Sequence, residues 1–330
     1  MTQLAGHDVF PIGLGCMNLS HAYGTPPPRE AAQALLRAAL EAGVNHFDTA
    51  ALYGFGSNEE LLGETLAAFR ERIVLASKCG MTGVEGKRVI DGRPGTLKRT
   101  CHESLRRLRT DRIDLYYLHR WDKRVAIEES VGALAELVSS GEIGAIGLSE
   151  VSAATLRRAH AVHPIAAVQS EYSLWTRPSS AVLEACRQLG ATFVAFSPLG
   201  RGFLAGAVRD PQALTANDLR RSMPRFQAPH FAENVGVLER FEQLSQEADC
   251  TPAQLSLAWL LQQPNVLPII GTTSITHLRE NLAAATLRVP ADILARAEQL
   301  VSDVTVSGAR YAAATLAEID MDEEDHARAG

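Results

Sequence analysis

Residues 44–54, VNHFDTAALYG, contain the feature around which the rest of the chain can be read. A short apolar run, predicted to be a strand, ends at Asp48, and Tyr53 follows five residues later. A turn after a strand directs both side chains to the same rim, where they can meet a third group. Taken alone, the segment is more typical of a structural turn, because Asp often closes a strand by bonding the turn backbone. The pattern of the surrounding chain is needed to decide whether the segment is a structural turn or part of a functional site.

Short apolar runs, many of them β-branched, alternate along the chain with segments of helical periodicity. The predicted strands are residues 12–16, 45–48, 73–78, 113–118, 145–149, 166–169, 192–196 and 266–270, with a further strand near 9–10. The predicted helices are residues 29–42, 58–69, 96–108, 127–139, 153–161, 179–189, 252–262 and 275–285, with helix 233–247 in a long connection. Because helices separate the strands, the strands should pair in parallel, and eight such units predict an α/β fold, a closed (β/α)8 TIM barrel.

The chain shows no linker rich in proline or serine, so we expect a single barrel domain over residues 1–330. Helix 291–301 is an extra C-terminal helix outside the eight units. Residues 312–330 are expected to form a peripheral tail, with an acidic and frayed end at 321–325. Segments 81–94 and 202–231 exceed ordinary barrel loops, which predicts long substrate loops.

The composition is typical of a soluble globular protein. With 46% hydrophobic residues, 21% charged residues and a net charge of -6, the chain lacks the basic surface expected of nucleic-acid binding. We recognise no signal peptide and no apolar run of about 18 residues, so no membrane association is predicted. The five cysteines form no CxxC pair, which predicts neither a metal site nor a disulfide framework and favours a cytoplasmic location.

Polar side chains stand at the ends of three neighbouring predicted strands: Asp48 with Tyr53, then Lys78, then His119. The carboxyl ends of barrel strands share one face, so the four groups should converge. An ammonium lowers the pKa of a nearby phenol, and a carboxylate keeps that ammonium charged despite burial. An imidazole can orient a carbonyl oxygen. Such a set suits a general acid that protonates a developing oxyanion, and it needs a bound hydride donor because none of its members supplies electrons.

These motifs resemble those of the aldo-keto reductase superfamily, whose members are NAD(P)H-dependent carbonyl reductases built on this barrel. The resemblance runs from about residue 12 to residue 310, and GLGCM at 13–17 and RFQ at 225–227 are similar to the bacterial and plant branch that reduces aldehydes and ketones. Asp48, Tyr53, Lys78 and His119 match the catalytic tetrad of the family. The resemblance thus implies that Tyr53 donates the proton.

The same resemblance implies a site for NADPH. Ser149 and Gln169 match residues that bond the nicotinamide carboxamide, and Phe196 matches an aromatic residue that stacks on the ring. Further cofactor-binding positions are Ser197, Leu199, Gly200 and Arg201 along the pyrophosphate, and Gly271, Thr272, Thr273, His277, Glu280 and Asn281 around the adenosine. Relatives strict for NADPH often carry Lys or Arg after the last strand, and here hydroxyl residues and His277 stand there. NADPH is therefore the expected cofactor, with NADH as the alternative.

The substrate pocket is expected to consist mostly of loops. Tyr23 and Trp121, two aromatic residues just beyond strand ends, are the predicted substrate contacts. Groups typical of a sugar site are not obvious, which favours small aldehydes and ketones with apolar bodies.

Three interpretations of function follow from the sequence. The first is an NADPH-dependent reductase of aldehydes or ketones. The second runs in the opposite direction, as an NAD-linked dehydrogenase of an alcohol, a sugar or a pyridoxal-like substrate. The third, from another class, is a nucleotide-binding regulatory subunit, since fold does not determine function. The physiological substrate, the preferred direction and the oligomeric state are left open by the sequence.

Overall fold

The chain folds around a closed barrel of parallel strands. We describe a computed structural model, which covers residues 2–84, 86–302 and 305–322, and in this part of the chain eight parallel strands close the barrel in sequential order. The predicted (β/α)8 barrel is confirmed. The barrel strands are β3 (Gly13–Gly15), β4 (His46–Asp48), β5 (Val74–Cys79), β8 (Ile113–Leu118), β9 (Ile143–Ser149), β10 (Ile165–Glu171), β11 (Thr192–Phe196) and β12 (Val266–Ile270), and the hairpin strands are β1 (Thr2–Leu4), β2 (His7–Val9), β6 (Met81–Val84) and β7 (Lys87–Ile90).

Helices surround the barrel because each presents one apolar stripe to it. Along the first helix, the buried residues recur at the spacing of a single helical face, and they are Ala32, Leu35, Leu36, Ala39 and Leu40. The helices are α1 (Arg29–Glu41), α2 (Ser57–Leu66), α3 (Pro94–Leu108), α4 (Ile127–Ser139), α5 (Ala153–Val162), α6 (Ser180–Leu189), α7 (His230–Glu247), α8 (Pro252–Leu261), α9 (Ile275–Ala283), α10 (Ala291–Leu300) and α11 (Ala313–Leu316). Among the helices of the described ranges, none has the length and apolar character needed to cross a membrane.

The N-terminal hairpin closes one end of the barrel. Strands β1 and β2 pair antiparallel, and their Leu4 and Val9 pack on the interior residues of the barrel. Thr192, the first residue of β11, donates from Oγ1 to the backbone oxygen of Gln3 at 3.0 Å. The hairpin therefore covers the amino ends of the strands, and the carboxyl ends form the open mouth.

The structure adds a hairpin to one predicted segment and moves the start of one predicted helix. Segment 81–94, expected only as loop, contains the antiparallel hairpin β6–β7. Its strands have four residues each, which is too few for a clear alternating pattern in the sequence. Within the hairpin, Gly83 lies so close to the Phe55 ring that a Cβ on it would overlap that ring. Helix α7 begins at His230, three residues before the predicted start at 233, because Pro229 stands at its N-cap.

The C-terminal tail lies against the mouth of the barrel as far as Asp322. Ile319 is buried, and the Ser152 backbone N–H donates to Asp320 at 2.9 Å. The Ala153 N–H donates to Asp322 at 3.1 Å, so the two carboxylates satisfy free N–H groups at the start of α5. Most of the acidic end predicted at 321–325 lies outside the described residues.

Candidate active site

The four predicted catalytic side chains meet at the open mouth. Asp48 is the last residue of β4, Lys78 lies near the end of β5, and His119 directly follows β8. Tyr53 stands in the short turn after β4. These three strands are neighbours in the barrel, so parallel pairing brings residues that are distant in sequence to one rim.

Lys78 is the centre of this cluster and is completely buried. Its ammonium contacts the Asp48 carboxylate, and it donates to the Thr49 backbone oxygen at 2.8 Å and to the Tyr53 hydroxyl at 3.2 Å. The three N–H donors of the ammonium thus have three partners. Burial lowers the pKa of Lys78, but Asp48 and Tyr53 outweigh that effect and leave the pKa raised. The lysine is held in its charged form.

The Tyr53 phenol behaves differently from the expectation drawn from the sequence. Burial raises the pKa of Tyr53, and the Lys78 ammonium acts in the opposite direction without fully offsetting it. The side chain is removed from water, which disfavours the phenolate more than the single cation favours it. Tyr53 is therefore protonated at neutral pH, as a proton donor has to be.

His119 stands edge-on to this phenol. The two ring centroids are 5.8 Å apart with an interplanar angle of 85°, and the imidazole is buried. Burial, reinforced by the charges of Lys78 and Arg120, holds the pKa of His119 well below its usual range. The imidazole is thus neutral at pH 7 and has one N–H to offer. Its Nδ1 has no hydrogen-bond partner among the described residues.

Neighbouring side chains fix the cluster in place. The second Asp48 oxygen accepts from the Gln169 amide at 2.8 Å. Thr49 donates to Asn58 at 2.6 Å, and Asn58 in turn donates to the Cys16 backbone oxygen at 2.9 Å. The turn that carries the acid and the phenol is therefore tied to both β3 and β10.

The comparison with known proteins bears directly on this arrangement. The sequence model of the Aldo/keto reductase family matches residues 11–302. The chain belongs to this family. The resemblance read from the sequence is confirmed, and the protein is an aldo/keto reductase with a (β/α)8 barrel.

Several known sequences and structures are similar to this aldo/keto reductase. Probable aldo-keto reductase 1 of Glycine max is 42% identical, covering 93% of this chain and 89% of its own. Aldo-keto reductase yakc of Schizosaccharomyces pombe, designated NADP(+), is 40% identical, covering 97% of each chain. The solved structure of a glycerol dehydrogenase from Gluconobacter oxydans superimposes with a TM-score of 0.83 at 27% identity, covering 92% of this chain and 95% of that one.

The residues predicted to hold the nicotinamide come together beside the tetrad of the aldo/keto reductase. Ser149 and Gln169 are register partners across β9 and β10, and Phe196 ends the next strand, β11. The Gln169 amide donates a hydrogen bond to Asp48, so it joins this group to the cluster around Lys78. Ser149 accepts a hydrogen bond at 3.1 Å from Arg120, a residue that sequence reasoning missed.

The turn after β11 carries Ser197, Leu199, Gly200 and Arg201, the predicted pyrophosphate segment. Gly200 has a φ of +55°, and a Cβ there would lie 2.8 Å from the Trp175 ring, so only glycine fits without strain. The Arg201 guanidinium is engaged internally, with the Glu171 carboxylate at 2.7 Å and the Tyr23 hydroxyl at 3.1 Å. Only its Nε is buried without a partner among the described residues.

The predicted adenosine segment surrounds the start of α9. Ser274 caps this helix by accepting from the His277 N–H at 3.3 Å, and the Thr272 hydroxyl accepts from the Ser274 N–H at 3.0 Å. The exposed positions of the segment are Gly271, Thr273 and His277, Glu280 is partly exposed, and Thr272 and Asn281 are buried. The segment therefore offers hydroxyl groups and one imidazole to solvent.

The two predicted substrate residues lie on opposite sides of the mouth. The Arg220 guanidinium lies over the Tyr23 ring, 5.0 Å from the ring centroid. The Tyr23 hydroxyl accepts a hydrogen bond from Arg201. The Trp121 indole N–H donates to the Val125 backbone oxygen at 2.8 Å. Both rings are held by protein contacts, and their contact with substrate is a prediction.

Sequence reasoning missed a charged cluster next to Phe196. Arg310, just before the tail, pairs with Glu150 and lies 3.2 Å from Glu171, while the Tyr311 hydroxyl donates to Glu171 at 3.1 Å. Burial raises the pKa of Glu171, but Arg201 and Arg310 outweigh it and lower that pKa to about 2.

His21 was also missed. Its ring is stacked on Tyr53 with 6.4 Å between centroids, on the side of the phenol that the first loop covers. Burial lowers the pKa of His21, so this imidazole is largely neutral at pH 7 as well. No spacing in the sequence distinguishes this residue from any other loop histidine.

Proposed function

We propose that the protein reduces aldehyde or ketone carbonyls to alcohols with NADPH, with Tyr53 as the general acid. The observation that carries the proposal is the contact of the buried Lys78 ammonium with both Asp48 and the Tyr53 hydroxyl, beside a neutral His119. This aldo/keto reductase is an oxidoreductase by family. The nucleotide supplies the hydride, and the protein supplies the proton and its control.

Each member of the tetrad has a separate role in this proposal. The neutral His119 donates its N–H to the carbonyl oxygen and orients it toward the phenol. Tyr53 gives its proton to that oxygen as negative charge develops there. Lys78 stabilises the phenolate left behind, since its charge lies 3.2 Å from the hydroxyl oxygen. Asp48 keeps the ammonium charged and fixed.

The residues present fit an NADP(H) cofactor. Ser149 and Phe196 end their strands at the mouth, and Gln169 lies two residues before the end of the strand between them, where the carboxamide and ring of the nicotinamide would be held. Two buried polar atoms nearby, Arg201 Nε and Asn18 Oδ1, have no partner among the described residues and are free for ligand atoms. The designation of the Schizosaccharomyces pombe relative as NADP(+)-linked supports the same cofactor.

Replacing Tyr53 by Phe tests the general acid. We expect the turnover number to fall by at least a hundredfold, because the proton donor is lost while its ring stays, and quenching of protein fluorescence by NADPH should persist. Tyr116→Phe is the matched control, since Tyr116 is a fully buried phenol whose hydroxyl has no partner among the described residues. Equal turnover in the two variants would exclude Tyr53 as the acid.

An NAD-linked alcohol dehydrogenase is the second candidate. The loop before α9 exposes Thr273, and His277 is exposed in the first turn of the helix, but the loop has no Lys or Arg to bind a 2'-phosphate. Initial rates with NADPH and NADH, and with NADP+ and NAD+ on an alcohol panel, separate the two. A strong preference for NADH would refute our cofactor assignment, and cofactor binding without any turnover would favour the nucleotide-binding regulatory subunit.

The proposal includes a cytoplasmic location. All five cysteines are free thiols, which is typical of a reducing compartment.

A further inference from the structure

Arg120 is a cation at the mouth of the barrel that the catalytic roles above leave unused. It directly follows His119 at the end of β8 and is only partly buried. One terminal nitrogen, NH1, donates to the His119 backbone oxygen at 2.7 Å and to the Ser149 hydroxyl at 3.1 Å. These two hydrogen bonds of NH1 thus hold the side chain at the mouth.

The rest of the guanidinium is free. Within the described ranges, neither Nε nor NH2 of Arg120 has a hydrogen-bond partner, and no carboxylate lies within ion-pair distance. The acidic groups around the mouth pair with other cations instead. These pairs are Asp48 with Lys78, Asp122 with Arg124, Glu150 with Arg310, and Glu318 with Arg88.

Arg120 therefore brings to the reacting groups a positive charge that no carboxylate of the described residues compensates. The Lys78–Asp48 pair is neutral as a unit, and burial keeps both His119 and His21 largely uncharged at neutral pH. The charge of Arg120 is close enough to lower the pKa of both Tyr53 and His119, so it lies beside the place where the carbonyl would react. A guanidinium presents Nε and NH2 as a planar fork that matches a carboxylate.

We propose that Arg120 is a specificity-determining residue that binds a carboxylate on the carbonyl substrate through its free Nε–NH2 edge. The preferred substrates are then oxo acids and aldehyde acids rather than carbonyl compounds with purely apolar bodies. The inference rests on the proposed function, because it places a substrate carbonyl at Tyr53 and His119. A substrate carboxylate would also supply the counter-charge that the described residues do not give to this arginine.

Matched substrate pairs test the proposal on the full-length enzyme with saturating NADPH. The ratio of kcat/KM for 4-oxobutanoate to that for butanal, and for 2-oxobutanoate to that for butanone, isolates the carboxylate from any effect common to both substrates. We expect ratios of at least ten for the wild type, close to one for Arg120→Gln, and intermediate for Arg120→Lys, which keeps the charge without the fork.

Arg124→Gln is the control. Arg124 stands on the same loop, its side chain is 77% exposed, and it is paired with Asp122, so its loss should leave the ratios at the wild-type value. Wild-type ratios near one, or ratios that Arg120→Gln does not change, would overturn the inference. If butanal is still turned over in that case, the proposed function is unaffected. A rise only in the KM for NADPH would overturn the inference too, by making Arg120 a cofactor residue.

A binding measurement decides the inference even if no carbonyl compound is turned over and the proposed function fails. Butanoate and its neutral isostere butanamide are titrated into the enzyme with NADP+ bound, by calorimetry. The inference predicts at least tenfold tighter binding of butanoate to the wild type and no preference in Arg120→Gln. Equal binding of the two ligands to the wild type refutes it.

Discussion

Replacing Lys78 by Met should destabilise the protein strongly, because it leaves a buried carboxylate without its cation. Asp48 is 1% exposed, and after the substitution the Gln169 amide, at 2.8 Å, is the one side-chain donor to it that remains among the described residues. Removing one partner of a buried ion pair costs about 3–5 kcal/mol. A chain of 330 residues, with an unfolding entropy of about 2.1 cal/mol/K per residue, loses roughly 1.4 °C of Tm for each kcal/mol. The expected decrease in Tm is therefore about 4–7 °C.

The double variant Lys78→Met with Asp48→Asn separates the charge from the packing. It removes the stranded carboxylate, so at least half of the lost Tm should return. Turnover should stay low in both variants, because the Tyr53 phenolate has no cation beside it in either. Circular dichroism melts of the cofactor-free proteins, together with steady-state rates, provide both measurements.

An exposed ion pair serves as the control for this prediction. Lys98 contacts Glu136, whose side chain is 69% exposed, and such pairs contribute about 0–1 kcal/mol. Lys98→Met should therefore shift the Tm by less than about 1.5 °C. The reasoning is refuted if Lys78→Met melts no lower than Lys98→Met, or if the double variant melts below the single one.

Two further predictions concern stability. In the folded protein the pKa of His119 lies well below about 6.5, so acidification protonates this residue only in the unfolded chain. The contribution of His119 to the free energy of unfolding is therefore complete above pH 6.5, and it decreases by about 1.4 kcal/mol at pH 5.5. His119→Asn should show a Tm decrease between pH 7.5 and 5.5 that is about 2 °C smaller than in the wild type, and equal decreases would contradict the assignment. Gly200→Ala should lower stability by about 1–3 kcal/mol, because Gly200 has a positive φ and a Cβ there would meet the Trp175 ring. Gly132→Ala, in open space on α4, should instead raise stability by up to about 1 kcal/mol. Equal melting curves for the two variants would refute this prediction.

The barrel and the tetrad could be predicted because both depend on local pattern. Apolar runs mark each strand, and the side chain at the end of a strand must lie at the mouth once the strands are parallel. That is how Asp48, Lys78 and His119 could be placed together without a structure. Some predicted strand ends differ from the observed ones by one or two residues. These differences did not change which side chains were placed at the mouth.

Contacts made by the tail and loops had no such pattern. Arg310 meets Glu150 across 160 residues, and Tyr311 meets Glu171 across 140. No periodicity connects residues 310 and 311 to the mouth, so the sequence predicted neither contact. Arg120 was overlooked for a related reason, because an arginine after a strand is usually a solvated charge, and only the three-dimensional arrangement shows that no carboxylate of the described residues reaches it.

Burial changed the chemistry inferred from residue types alone. Lys78 beside Tyr53 suggests a lowered phenol pKa, yet removal of the phenol from water raises it. A phenol that holds its proton at neutral pH suits donation to a carbonyl oxygen, whereas oxidation of an alcohol needs the phenolate as base. Lys78 is then required at the moment the proton leaves, when it stabilises the new negative charge. Under the proposed function we therefore expect reduction to be the faster direction at neutral pH and the reverse reaction to have an alkaline optimum.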